Sequence, residues 1–591
     1  VTIGTGGFNP GGPYPNPFII APPDAAGAYT VSRSALQNAL NLGSNVIVTT
    51  EQPARTDPGN ITVSASVSWT GSGSLTLRAD NNITVSSSIS STGTGSLTLL
   101  AGATNPAGSI ATTSTLTMAR GAITMTAPGS ISIGGTVNLS NTGSLSATAG
   151  SNITVGGAIN AAAGSSGSVL LDAGNALQMN TGSNLQGSAS FRGIGRGSGI
   201  SFTGSGNRTF RTGTGALTLE APGANGDIVI GRNANLVGNF QLFTGGGALT
   251  VTAGRDIRLV SSPFSNGRWT RVGNLSANIP ISLSAGRDVT WEVGNFADNF
   301  VEVVTSGTLS VSAGRAINQQ PSTLSPARLQ GRGASLTLTA PSATLNGLVE
   351  SRGDTLLQGG AFRFGTTSPL FTLNANRSFT LAAGSTITSA SALNISTTGT
   401  GDIAFGGAVS GTTLQATAGD EVRIGAPIQM SGSGNAILLG AGVRLVNLAG
   451  QSLSAPNGRW LTYSVSPFND IGWQDLNPDA PNLYGRTLGF LPPVSSPGTG
   501  NRRIYSFVPV LTLTGDSPTK TYGQSGPALG FSVSGLVPGD SLSTALVGGT
   551  ATVTSSGTPA TAPVGTYSTV VAAQATAAGY ELSRVPGALP R

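Results

Sequence analysis

The chain of 591 residues contains no cysteine and no histidine. Disulfides, thiolate chemistry and imidazole metal sites are therefore excluded. General acid–base catalysis loses its commonest participant as well. A chain without thiols cannot cross-link on its way out of a cell, which suits a large bacterial protein exported unfolded. Charge is scarce, with 9% of residues Asp, Glu, Lys or Arg. The net charge of +6 rests on arginine, since Lys520 is the only lysine and no basic run exceeds Arg502-Arg503. Scattered arginines of this kind read as solvated surface, and no nucleic-acid partner is expected. No apolar stretch approaches the ~18 residues that cross a bilayer. The chain opens Val1-Thr-Ile-Gly with neither Met nor a basic leader. It reads as a mature or internal fragment whose signal peptide lies outside it.

Gly (87) and Pro (33) are abundant, but 38% of residues are apolar. In many segments these alternate with Ser and Thr, which marks half-buried strands rather than a disordered low-complexity chain. One phrase keeps returning: a short alternating strand, Ala-Gly, a small polar turn, then Ile or Val. It reads Leu75-Thr-Leu-Arg-Ala-Asp-Asn-Asn-Ile83, then Leu145 to Ile153, Leu249 to Ile257, Ile281 to Val289, Leu309 to Ile317 and Leu414 to Val422. The strand-ending Ala recurs at Ala79, Ala101, Ala127, Ala149, Ala173, Ala221, Ala253, Ala285, Ala313, Ala340, Ala383, Ala418 and Ala441. The base period is about 22 to 24 residues, with longer steps between Ala221 and Ala418, and such a period marks stacked structural units.

One period holds two or three very short strands, with Leu75, Leu77 and Ile83 inward and Thr76 and Arg78 outward. Leu249, Val251, Ile257, Leu283 and Val289 are inward by the same parity. No crossover helix intervenes and no Asn-Gly hairpin turns dominate, so the fold class is all-β: a right-handed parallel β-helix rod followed by a small β-sandwich-like module. A β-propeller fits less well, because its blades need about 40 residues and larger anchor side chains. About 17 turns at ~4.8 Å each give a rod roughly 80 Å long.

The domain reading runs as follows. Residues 1–31 are a Gly/Pro-rich arm or linker. Residues 32–455 hold a capping helix and the β-helix. The helix, Ser32 to Gly43, carries Ala35, Leu36, Ala39 and Leu40 on one face and ends at a left-handed glycine. Residues 456–507 are an aromatic, Pro-rich closing segment, 508–585 a separate β module with Tyr522, Phe531 and Tyr567 in its core, and 586–591 a linker.

These residues resemble the filamentous haemagglutinin-type secreted adhesins of Gram-negative bacteria, the exoproteins of two-partner secretion. The likeness lies in Ala39-Leu-Asn-Leu-Gly-Ser-Asn-Val-Ile-Val-Thr-Thr50, in the Ala-Gly-Arg-Asp-Ile type repeat, and in Gly458-Arg-Trp-Leu-Thr-Tyr-Ser464 leading to Lys520-Thr-Tyr-Gly523. The last stretch is similar to the start of an MBG/YDG-type module. The resemblance implies a secreted or cell-surface location and an outer-membrane secretion partner. The family's own N-terminal secretion domain is not evident in the sequence.

Enzymatic β-helices cluster Asp or Glu. Here Asp172, Asp227, Asp256, Asp288, Asp402 and Asp420 are scattered and read as turn residues bonded to their own backbone. No catalytic residue, cofactor or metal is expected. The expected function is non-catalytic adhesion to cells or surfaces through a host or neighbouring cell-surface glycan or protein. The alternative is a structural subunit that self-associates with identical chains into a filament or matrix. The candidate contact residues are Phe264, Trp269, Arg271, Trp291, Phe296 and Phe300, placed on side loops in the longer periods, because Trp and Arg are enriched at hot spots.

Overall fold

The computed structural model describes the chain apart from residues 23–27, 52–56, 163–164, 181, 183, 188–189, 204–205, 232–237, 262–266, 275–277 and 449. It divides into two units, Val1–Thr367 and Ser368–Arg591.

In the first unit the alternating phrase forms strands with one dry side. Leu75–Arg78 is followed by Ile83–Val85 and Ile89–Ser91, and Leu97–Leu100 then begins the next turn. Each strand pairs in parallel with its counterpart one turn on: Leu75 with Leu97, Ile83 with Ile110, Ile89 with Leu116. Three parallel sheets therefore enclose one core, and the backbone hydrogen bonds run from turn to turn. This is a parallel β-helix. Leu75, Leu77, Ile83, Leu249, Val251, Ile257, Leu283 and Val289 are all fully buried. Full burial of such a side chain stabilises by about 1.5–3 kcal/mol.

Turn length varies while the three strands persist. Ser96 N–H donates to Ser74 Oγ across 22 residues, Asp288 N–H to Asp256 Oδ1 across 32, and Gln358 Nε2 to Thr339 Oγ1 across 19. Where the corner reads Ala-Gly it is closely stacked. A Cβ on Gly286 would stand 2.1 Å from Gly254 O, and one on Gly314 would stand 2.1 Å from Gly286 O. The corner backbones lie in contact from turn to turn, which leaves no room for a side chain.

The first 31 residues are not an arm. Thr2–Gly4 pairs in parallel with Thr30–Ser32 and with Ile61–Val63, and Phe18–Ile20 pairs with Val46–Thr49. The apolar triplets around Ile3 and Ile20 alternate like the later strands but are too short to stand out among Gly and Pro. The helix is Arg33–Asn41, with Ala35, Leu36, Ala39 and Leu40 buried. Gln37 Nε2 donates to Ser68 O at 2.9 Å, and Asn41 Oδ1 accepts from Thr70 N–H at 2.8 Å. The helix thus covers the edge of Val67–Trp69, which would otherwise invite pairing. Ser32 precedes it without a side-chain capping bond, and Gly43 takes φ +87°.

In the second unit the coil continues past residue 455. Leu393–Ser396, Leu414–Ala418, Gly434–Ala441, Gly458–Ser464 and Arg502–Tyr505 form one parallel sheet. Phe379–Leu381, Ile403–Phe405, Glu421–Ile424 and Arg444–Val446 form another. Ala383 follows a strand of the latter sheet, whereas Ala418 ends a strand of the former. The phrase specifies a strand and a corner, not which side of the coil it occupies.

The C-terminal module has two three-stranded sheets. One holds Phe531–Ser534, Val510–Gly515 and Glu581–Val585, the other Thr552–Thr554, Thr566–Ala572 and Gly587–Pro590. Residues 586–591 are therefore not a linker, since they carry the last strand. Nor is the module separate from the closing segment. Tyr484 and Tyr505 share a core with Leu511, Leu513, Val537 and Tyr580. Asp540 accepts from Tyr484 OH at 2.6 Å, Tyr580 OH at 2.7 Å and Asn482 Nδ2 at 3.0 Å. Tyr522 is 65% exposed rather than core, with the Arg591 guanidinium 4.8 Å from its ring centroid. Phe531 and Tyr567 are half-buried. Lys520 Nζ donates to the carbonyls of Gly557, Thr558 and Pro559 at 2.9, 2.7 and 2.6 Å.

Gly286→Ala should lower stability by about 1–3 kcal/mol through overpacking of the corner. Val251→Asp should cost about 3 kcal/mol or more by placing an unpaired charge in the core. Urea denaturation followed by circular dichroism checks both, and unchanged midpoints would contradict the stacked corner and the inward parity respectively.

Candidate contact surface

The six candidate residues fall into three groups. Phe264 lies outside the described residues. Trp291 is a correction: it sits in the strand Asp288–Glu292 and is fully buried, stacked between Leu259 and Gln319. Its parity is that of Val289, two residues before it, so both side chains point inward. Among the described residues, its indole N–H and the Nε2 of Gln319 have no hydrogen-bond partner. A buried ring of this kind packs the core and touches no partner.

Trp269, Arg271 and Phe300 are not on loops either. They lie in paired strands, Trp269–Asn274 and Phe300–Thr305. Thr270, Val272, Val301 and Val303 are buried between them, which turns Trp269, Arg271 and Phe300 outward, each half-buried. The Trp269 and Phe300 rings stack with centroids 5.8 Å apart and planes 6° from parallel. Arg271 lies 5.2 and 5.6 Å from the two ring centroids, and its Nε donates to Glu302 Oε2 at 2.6 Å. Arg328 covers Phe300 from the next turn at 5.0 Å. Phe296 is half-buried in the connection before Phe300. The structure thus brings Trp269, Arg271 and Phe300 together, with Arg328 and Glu302 as members that the sequence reading missed. Their signal was present: Val301-Glu-Val303 and Ala327-Arg-Leu329 show the same alternation.

The turn carboxylates also differ from expectation. Asp172, Asp227, Asp256 and Asp288 bind arginines one turn on. Arg196 Nε donates to Asp172 at 2.7 Å, Arg255 Nε to Asp227 at 2.7 Å, Arg287 Nε to Asp256 at 2.8 Å and Arg315 Nε to Asp288 at 2.8 Å. The Arg and Asp of each Ala-Gly-Arg-Asp phrase therefore serve two different neighbours, and the pairs run as a ladder along the corner. In each pair the arginine is the more exposed partner and the carboxylate the more covered one. Burial opposes ionisation of Asp256. The Arg287 hydrogen bond and charge, with the Asp288 N–H and the Arg255 charge, outweigh it and hold the carboxyl below its usual range.

Asp470, in the second unit, shifts the other way. Burial pushes it up to about 6, although Leu445 N–H and Ser464 Oγ donate to it at 2.8 and 2.7 Å and Arg503 lies nearby. Among the described residues no three acidic groups gather where a metal ion could be held. No helix among them is long and apolar enough to cross a membrane.

Residues 511–590 match the MBG domain (YGX type) family. The match covers both sheets of the C-terminal module and contains Tyr522-Gly523-Gln524. No curated protein and no solved structure matches the chain.

Two outcomes follow from the geometry. The folded Asp470 holds its proton more tightly than the unfolded chain does, so its contribution is full below pH about 4 and is lost as the pH rises through about 6. Asp470→Asn should flatten that decline in unfolding free energy, while Asp256→Asn should remove stability that the parent loses as the pH falls below about 4. Urea titrations from pH 3 to 8 separate the two. Trp291→Phe should be near neutral, since it removes an unpaired buried donor, whereas Trp291→Ala should cost about 3–5 kcal/mol. Thermal unfolding of the two variants checks this.

Proposed function

We propose that this chain is a secreted or surface-attached bacterial protein of the filamentous haemagglutinin kind, acting as an adhesin by non-catalytic binding. The observation that carries the reading is an MBG (YGX-type) module joined through a shared core to a parallel β-coil. Such a coil repeats outward side chains at every turn and so offers many similar contacts to one partner. The best-placed carboxylates support the non-catalytic part, because they are engaged by arginines or by backbone N–H groups rather than gathered around a cleft. The partner under this reading is a glycan or protein on a host or neighbouring cell. An outer-membrane secretion partner follows from the sequence resemblance.

Self-association is the second reading, favoured by one feature. Phe531–Ser534 pairs on one side only, with Val510–Gly515, and carries no charge while Val533 is exposed. An uncharged free edge of this kind accepts another strand. Two measurements separate the readings. The adhesin should be removed by protease from intact producing cells or be found in their medium, and the purified chain should bind target cells saturably. Retention inside the producing cell, or absence of saturable binding, would refute it. Ordered polymers of the purified chain in electron micrographs, without cell binding, would establish the second reading.

A further inference from the structure

The strands Leu185–Gln186, Arg208–Thr212 and Phe240–Thr244 are successive members of one sheet in the first unit. Phe210 and Leu242 point into the core. The alternation therefore turns Thr209, Arg211, Gln241 and Phe243 toward the outside, beside Gln186. These five side chains and Gly187 line a surface concavity of about 470 Å³. Phe243 is 9% exposed and supplies an apolar floor, with the Arg211 guanidinium 5.3 Å from its ring centroid.

The polar groups here are unengaged, unlike those around them. Arg192 is paired with Glu220, and Arg271 with Glu302. Among the described residues, no hydrogen bond or ion pair takes the side chains of Gln186, Thr209, Arg211 or Gln241. Two amides, a hydroxyl and a guanidinium converge on an aromatic floor. A few convergent polar groups over an apolar surface are the composition of a ligand site. The amides and hydroxyl match a ligand rich in hydroxyl groups. The planar guanidinium matches a carboxylate, which it takes through two parallel hydrogen bonds.

The backbone adds a length scale. Successive turns stand ~4.8 Å apart, close to the length of one pyranose unit, so a glycan laid along the coil meets one turn per sugar. The charge argues for sparse acidity. A single unpaired guanidinium stands in the concavity, and a densely sulfated polymer needs many clustered cations.

We infer that this concavity binds a glycan bearing isolated carboxylates, with Arg211 holding the carboxylate and Gln186 and Gln241 the hydroxyls. The inference rests on the adhesin reading for its biological setting and extends it to a ligand class. The test is isothermal titration of the whole chain with oligosaccharides carrying galacturonate, glucuronate or sialic acid, against neutral cello-oligosaccharides and heparin oligosaccharides. At least one carboxylated glycan should bind, at least tenfold more tightly than the neutral ones. Arg211→Gln and Gln241→Ala should each weaken that binding, Arg211→Gln at least tenfold, with unfolding midpoints unchanged. Arg120→Gln, exposed beyond the strand Leu116–Met118 and outside the concavity, should bind like the parent. Failure of all carboxylated glycans, equal binding of neutral ones, preference for heparin oligosaccharides, or full binding by Arg211→Gln would each overturn the inference. A failed titration with cell binding retained would remove the site and leave the adhesin reading standing. A chain that binds no cells removes the adhesin reading, and the titration still decides the site.

Discussion

Within each unit, every turn of the coil lies directly on the backbone of the one before it, and the rest of the structure follows from that contact. Hydrogen bonds between turns hold the strands in register, so residues one turn apart stand above one another. Leu249 lies between Leu217 and Ile281, and Val251 between Leu219 and Leu283. The corners have no freedom in the same direction. Gly254, Gly286 and Gly314 are glycine because the carbonyl of the turn below occupies the space a Cβ would need. The connections between sides point away from the axis and are free to vary, which is why turns separated by 19 and by 32 residues coexist.

The same stacking explains why so few charges suffice. An arginine in one corner meets the aspartate of the corner before it, so a four-residue phrase repeated at each turn builds its own ladder. Asp256 and Asp470 show what decides the sign of a titration. Burial works against the charged form in both. At Asp256 two arginines outweigh it, while at Asp470 the compensation from two hydrogen bonds and Arg503 is insufficient. The lone lysine, Lys520, is likewise structural, gathering three carbonyls of one turn of the C-terminal module.

Most of the coil was legible because a strand buried on one side leaves a period of two, and a stacked coil leaves a longer period above it. Where either signal was short, the reading failed. The strands Thr2–Gly4 and Phe18–Ile20 are triplets among Gly and Pro and passed for an arm. Gly587–Pro590 ends in proline and passed for a linker. The contact surface was legible in part. Aromatic and arginine content drew attention to Trp269, Arg271 and Phe300, which do meet. The same content drew attention to Trp291, although its parity with Val289 already placed it inside. Arg211, Phe243 and Gln241 escaped because they lie in separate turns, each unremarkable by itself.

Composition excluded thiol and imidazole chemistry, and alternation with its period determined that this is a parallel β-coil with a small β module after it. Both are properties of short segments, and each segment carries its own evidence. Which residues share an outward column was decided only by the fold, because turn lengths differ and the phrase changes sides between Ala383 and Ala418. Neighbours across a sheet are separated by a number of residues that no local rule specifies. Whether a ring is core or surface, and whether an aspartate serves its own turn or the next, depends on that number.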